Sequence, residues 1–213
     1  MGKAKAIRSV TQRQVRLVFA MDATASREAS WQTARKLHRE LFEAAADTTG
    51  LAIQLCYYRG FNTFQASPWL TSGAELLTHM DNVHCEGGPT QIGRLLHHYL
   101  QAGSPMTPVR GLVFVGDAVE EAPAALINLA GQCRIKNQPI FAFQEGRDGT
   151  TTDVFKALAT ASGGAYAAFD ENSAERLKKL LGAVARYVSG GRLALTRSGT
   201  ESDKLLLDQL PNQ

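Results

Sequence analysis

Two carboxylates and three hydroxyls stand where apolar runs of this chain give out, and all five are hard oxygen donors. Asp22, Thr24 and Ser26 follow the run Arg16–Met21. Asp117 follows Val109–Val115. Thr90 comes after the loop His84-Cys-Glu-Gly-Gly-Pro89 and opens a helical stretch. An oxygen-only set suits Mg²⁺, Mn²⁺ or Ca²⁺, whereas Zn²⁺ favours His and Cys. Alternate spacing in Asp22-Ala-Thr24-Ala-Ser26 lets an extended, turning loop aim three side chains at one ion. An ion held by so few anionic ligands keeps net positive charge and attracts a further carboxylate or phosphate. Glu120 and Glu121 are placed to rim that face, and a solvated loop accounts for them equally well. By itself the first motif reads as an ordinary helix cap. Thr90 and Asp117, at matching strand-end and helix-start positions, turn the reading toward a metal site.

Other chemistry finds less support. His79, His84, Cys85, His97 and His98 match no zinc spacing, and the adjacent pair His97-His98 points to different faces of a helix. Cys85 reads as a loop cysteine, since nothing near it in sequence establishes a lowered pKa. No GxGxxG follows the first strand, and no GxxxxGK[ST] occurs anywhere. A metal-dependent phosphatase or phosphotransferase using Asp22 as nucleophile is the enzymatic alternative. Such sites usually want a second carboxylate two residues on, where this chain has Thr24. A metal-free structural domain is the third reading.

The elements that must position these residues alternate between short apolar runs and amphipathic stretches. Strands are expected at Arg16–Met21, Leu51–Tyr58, Thr63–Leu70, Val109–Val115, Pro139–Gln144 and Gly164–Phe169. Helices are expected at Ala29–Ala46, Ser72–Met80, Thr90–Ala102, Pro123–Lys136 and Thr152–Ser162, and from an N-cap at Ser173 to about Tyr187. The tight turn after Gly60 predicts an antiparallel hairpin between the second and third strands, with Pro68 at a sheet edge. Alternating strands and crossover helices demand a mostly parallel sheet covered on both faces. The expected fold class is α/β: a doubly wound, Rossmann-like three-layer sandwich with six strands, one of them an antiparallel edge strand. Ligands of such sheets bind beyond the carboxyl ends of the strands, where the five oxygen donors fall.

The chain's 213 residues and 44% hydrophobic content suffice for one full core. We divide it into a basic arm (1–14), one domain (15–190) and a C-terminal appendage (191–213) carrying a weak apolar stretch, Lys204–Leu210. Net charge is +3, but Lys3, Lys5, Arg8, Arg13 and Arg16 all precede the first acid, Asp22. This arm does not make the chain a nucleic-acid binder. No signal peptide and no membrane span are expected. Three widely spaced cysteines with no CxxC fit a reducing compartment, and the expected location is the cytoplasm.

The three motifs together resemble the von Willebrand factor A domain with its metal-ion-dependent adhesion site, in its intracellular bacterial form. That family carries Asp-x-Ser-x-Ser after its first strand, a threonine in a second loop and an aspartate after a later central strand. Here they correspond to Asp22, Thr24 and Ser26, to Thr90 in Gly87-Gly-Pro-Thr90, and to Asp117 in Phe114-Val-Gly-Asp117. Threonine replaces the family's first serine, keeping the hydroxyl and adding a methyl. Ala118 stands where the family often has glycine. The resemblance runs from about Arg16 to Val188. It implies a non-enzymatic adaptor domain whose Mg²⁺ (or Mn²⁺) takes an Asp or Glu carboxylate from a protein partner. Partners implied by resemblance include AAA+ ATPases and stress-response proteins.

Overall fold

A computed structural model of the chain describes residues 15–28, 31–32, 50–169 and 174–211. Outside that range lie the basic arm, most of the expected helix Ala29–Ala46, and the N-cap proposed at Ser173. One sheet organises the rest. Its strands are β1 (Val15–Asp22), β2 (Leu51–Arg59), β3 (Thr63–Ala66), β4 (Val109–Gly116), β5 (Ile140–Glu145) and β6 (Ala165–Phe169). Their order across the sheet is β3-β2-β1-β4-β5-β6, with β3 antiparallel to β2 and every other pair parallel. Chain direction reverses its walk between β1 and β4. That is the switch point where a doubly wound sheet opens a crevice.

Side chains alternate faces along each strand, so one strand feeds two cores. From β1, Leu17, Phe19 and Met21 enter one core, where they meet α1 (Gly73–Asp81), α5 (Ala174–Ser198) and α6 (Glu201–Gln209). Val18 and Ala20 enter the other, beside α2 (Ile92–Gln101), α3 (Pro123–Ile135) and α4 (Gly149–Ser162). Both faces are therefore covered, which is why β1 and β4 read as near-continuous apolar runs. The expected fold class is the observed one.

Boundaries differ where local chemistry outweighs apolar pattern. β3 stops at Ala66, short of the expected Leu70, because Pro68 has no N–H for the ladder. Leu70 regains only an isolated bridge to Ile53. α4 begins at Gly149, ahead of the expected Thr152, since Asp148 caps it by accepting from the Thr151 amide at 2.7 Å. Thr90 lies just before α2, within the loop.

The segment expected as an appendage continues the fold. α5 breaks at Gly191, whose φ of 63° and ψ of −160° is a conformation that glycine alone adopts readily. α6 then starts on a capping box between Thr200 and Asp203. Its Leu206 is fully buried in the first core with Leu195 and Leu210. Arg186 of α5 donates to Asp203 Oδ1 from Nε (3.0 Å) and from Nη2 (2.8 Å). Burial pushes the Asp203 carboxyl up, but hydrogen bonds from Thr200, Arg186 and Ser198 outweigh it and hold the group below its ordinary value. A carboxyl with a depressed folded pKa contributes stability that is lost as pH falls through the aspartate range. We expect Leu206→Ala to cost about 2–5 kcal/mol in urea unfolding, the range for a buried leucine. A cost below about 0.5 kcal/mol, as for a surface site, would show α6 to be dispensable.

Candidate functional site

Three loops meet at the carboxyl edge beside the switch point, and the backbone knits them together. Ala23 donates its amide to the Tyr58 carbonyl (3.0 Å), and its own carbonyl accepts from the Glu86 amide (3.0 Å). Gly60, in a left-handed turn at φ 54°, donates to Glu86 O at 3.2 Å. Gly88 lies so close to this turn that a Cβ there would stand 2.1 Å from the Gly60 carbonyl oxygen. No side chain fits, so glycine at 88 is what lets the Thr90 loop approach the end of β2. Gln91 adds donations from Nε2 to the carbonyls of Gly60 (3.1 Å) and Arg59 (3.3 Å).

Within this frame the first and third motifs touch. Ser26 Oγ donates to Asp117 Oδ2 at 3.0 Å, across 91 residues of sequence. Thr24 Oγ1 lies 3.4 Å from Ser26 Oγ, so the threonine hydroxyl faces the same point as the serine. Asp22 is fully buried. Its Oδ1 accepts from the Thr24 amide (2.7 Å), its Oδ2 from the Tyr58 hydroxyl (3.1 Å), and its carbonyl from Trp31 Nε1 (2.8 Å). Burial raises the Asp22 carboxyl above its ordinary range. The hydrogen bonds from Thr24 pull it back, Asp117's charge adds to the rise, and Arg27 opposes it.

Thr90 joins the assembly indirectly. Its amide donates to Glu120 Oε2 (2.9 Å) and its hydroxyl oxygen accepts from the Glu120 amide (3.0 Å), tying it to the loop that carries Asp117. No hydrogen bond links Thr90 to Asp22, Thr24, Ser26 or Asp117 among the described residues. Glu121 caps α2, accepting from the amides of Ile92 and Gly93 at 2.7 Å each. Both glutamates, expected as a rim for a partner, thus spend their carboxylates on the second loop and the start of α2.

Three residues join the site that spacing had not singled out. Tyr58, at the end of β2, lies against Phe114 and also holds Asp22. Arg27 follows the first motif directly and is only 1% exposed. Its Nη1 donates to Glu145 Oε2, and its Nε lies 4.0 Å from Asp117 Oδ1. Glu145 ends β5, and asking what stands at every strand end would have found it. Burial lowers the Arg27 guanidinium pKa, while the charges of Asp117 and then Asp22 raise it. Cys85 is not poised as a nucleophile: burial, with a hydrogen bond from its thiol to Glu28, pushes it up to about 12.

The donor set fits a hard divalent cation. Neighbouring ligands of an octahedral Mg²⁺ at about 2.1 Å lie about 3 Å apart. The Thr24–Ser26 and Ser26–Asp117 oxygen separations are close to that spacing. Asp117 Oδ1 is buried with no hydrogen-bond donor among the described residues, an unmet need that a cation would answer. Among the described residues no three His, Cys, Asp or Glu side chains cluster around a common point, so an ion here would depend on the hydroxyls.

No family model and no curated protein matches the chain. Solved structures do. A von Willebrand factor type A structure from Catenulispora acidiphila superposes with a TM-score of 0.64 at 18% identity, over 83% of this chain and 43% of that one. An aerotolerance-related membrane protein from Bacteroides fragilis gives 0.61 at 14% identity, over 78% and 96%. Proximal thread matrix protein 1 from the mussel byssus, with a zinc-occupied adhesion-site motif, gives 0.63 at 15% identity, over 81% and 46%. This chain thus spans less than half of the first and third. The fold is that of von Willebrand factor A domains.

Because the folded protein raises the Asp22 pKa, ionised Asp22 costs stability as pH rises through that folded value. Asp22→Asn keeps an acceptor for the Thr24 amide and removes the charge. We expect its melting temperature at pH 7 to equal or exceed that of the wild type, with the gap narrowing as pH falls toward the ordinary aspartate value. A clear drop at pH 7 in thermal melts would contradict this account.

Proposed function

We propose that this domain binds a protein partner through a divalent cation, Mg²⁺ or Mn²⁺, held at the edge formed by Asp22, Thr24, Ser26, Thr90 and Asp117. The Ser26–Asp117 hydrogen bond carries the reading. It brings a hydroxyl of the first motif and a carboxylate of the last to cation-ligand spacing at the carboxyl edge of the sheet. When bound, the ion supplies a positive centre with an open position for an Asp or Glu carboxylate of the partner. Ser26, Thr24 and Asp117 are the direct donors in this reading. Asp22, deeper and engaged with Tyr58 and the Thr24 amide, holds the loop and adds charge behind the ion. Thr90 completes the set from the second loop, fixed there by Glu120.

Binding is favoured over catalysis. Both Asp22 oxygens already accept hydrogen bonds and the side chain is fully buried, a poor position from which to attack a phosphoryl group. The carboxylate-presenting partner is a protein, with AAA+ ATPases and stress-response proteins the classes that family resemblance implies. A cytoplasmic location is part of this proposal. Free cysteines at 56, 85 and 133 agree with a reducing compartment, and no helix among the described residues is long and apolar enough to cross a membrane.

Calorimetric titration of metal-free protein with Mn²⁺ tests the proposal. Wild type is expected to bind one ion, and Ser26→Ala and Asp117→Ala to weaken it at least about tenfold, as loss of about 1.4 kcal/mol or more of ligation requires. Absence of Mn²⁺ binding by wild type, or equal binding by both variants, would reject it.

A further inference from the structure

Arg27 is the least ordinary residue of the edge. Its side chain is 1% exposed, yet it carries a full charge and follows directly on the metal-binding motif. Nη1 is spent on Glu145, whereas among the described residues Nε and Nη2 have no hydrogen-bond partner. Nε points toward Asp117 Oδ1 at 4.0 Å, and that oxygen is itself buried without a donor among them. The guanidinium also acts on Asp22 through its charge. It therefore sits among the carboxylates of three neighbouring strands: Asp22 ending β1, Asp117 following β4 and Glu145 ending β5.

Two roles can be separated by burial and distance. Receiving a partner's carboxylate directly is excluded, because a side chain this buried presents nothing to an incoming ligand. Neutralising the carboxylates from within is what the contacts provide. A cation beside Asp117 also repels any second cation that Asp117 is to hold, and with the guanidinium itself buried that repulsion is less screened than between two surface charges.

We propose that Arg27 is a resident cation of this site. It ties Asp117 to Glu145 and adds its charge beside Asp22 in the metal-free protein, and by that charge it weakens the divalent ion that Asp22 and Asp117 take. The inference rests on the metal reading above. It makes the edge preformed and its ion exchangeable: the loops need no ion to stay assembled, and occupancy follows the ion concentration.

Arg27→Met, Arg27→Lys and wild type, all metal-free, are titrated with Mn²⁺ by calorimetry and melted with and without it. The methionine variant is expected to bind Mn²⁺ at least tenfold more tightly than wild type. It should also melt lower when metal-free and gain more in melting temperature from saturating Mn²⁺. Arg27→Lys keeps the charge and should bind within about threefold of wild type. A purely structural arginine would give the opposite sign, since a disordered edge binds metal less well. To guard against misfolding from an orphaned Glu145, the neutral pair Arg27→Met with Glu145→Gln is measured beside them. It too is expected to bind more tightly than wild type. Wild-type binding with neither Arg27→Met nor the neutral pair any tighter overturns this inference alone. Binding by neither wild type nor the variants overturns it together with the metal reading. Binding by the methionine variant where wild type shows none upholds the inference and overturns loading of the native site.

Discussion

A buried arginine among three carboxylates sets the terms for the edge of this sheet. Parallel strands β1, β4 and β5 lie side by side and run in one direction, so the acids at their ends, Asp22, Asp117 and Glu145, fall along one edge. Removing such charges from water is costly, and attraction offsets the cost only where an opposite charge is buried with them. Arg27 is that charge. It emerges from the short 3-10 turn Ala25–Arg27, immediately after the loop whose hydroxyls face Asp117. One turn of chain therefore delivers both a hydroxyl that meets Asp117 and a counter-charge for the acids. The rest of the edge is arranged around that fact.

The neighbouring loops take their positions from backbone hydrogen bonds, and their side chains follow. Ala23 bridges the end of β2 and Glu86, and Gly88 presses against Gly60 where a Cβ cannot fit. Glu120 and Glu121 then clamp the loop after β4 to Thr90 and to the start of α2. Carboxylates accepting backbone amides at a helix start are favoured by the helix dipole as well as by the bonds themselves. The polar groups around the proposed ion position are thus oriented by contacts that do not involve the ion. If the edge binds as proposed, it is preorganised and takes its ligand with little rearrangement.

On the opposite flank, stability comes from the helices that close the first core. The kink at Gly191 turns the chain so that α6 returns along the sheet, and the Arg186–Asp203 pair joins α5 to the capping box. Residues 191–211 are part of the domain's packing. The short apolar pattern of Lys204–Leu210 gives little hint of this, because three leucines in one helical turn look the same on a free amphipathic helix and on a docked one.

Most of the fold was legible in the chain itself. Strands buried on both faces must be apolar throughout, helices crossing between them must be amphipathic, and both patterns are local. That Asp22, Thr24, Ser26, Thr90 and Asp117 lie in the loops at the carboxyl edge was legible too, because those positions follow from where each strand ends. Arg27, Tyr58 and Glu145 were not. Ser26 meets Asp117 across 91 residues and Arg27 meets Glu145 across 118. Such pairings depend on which strands become neighbours. The order β1-β4-β5 is set by packing of the whole sheet, and no local spacing encodes it. Nor does the sequence tell a glutamate that rims a surface from one that caps a helix: Glu120 and Glu121 differ only in which amides the folded loops bring within reach. Residue types decided what chemistry was available at this edge, and tertiary structure decided which charges share it.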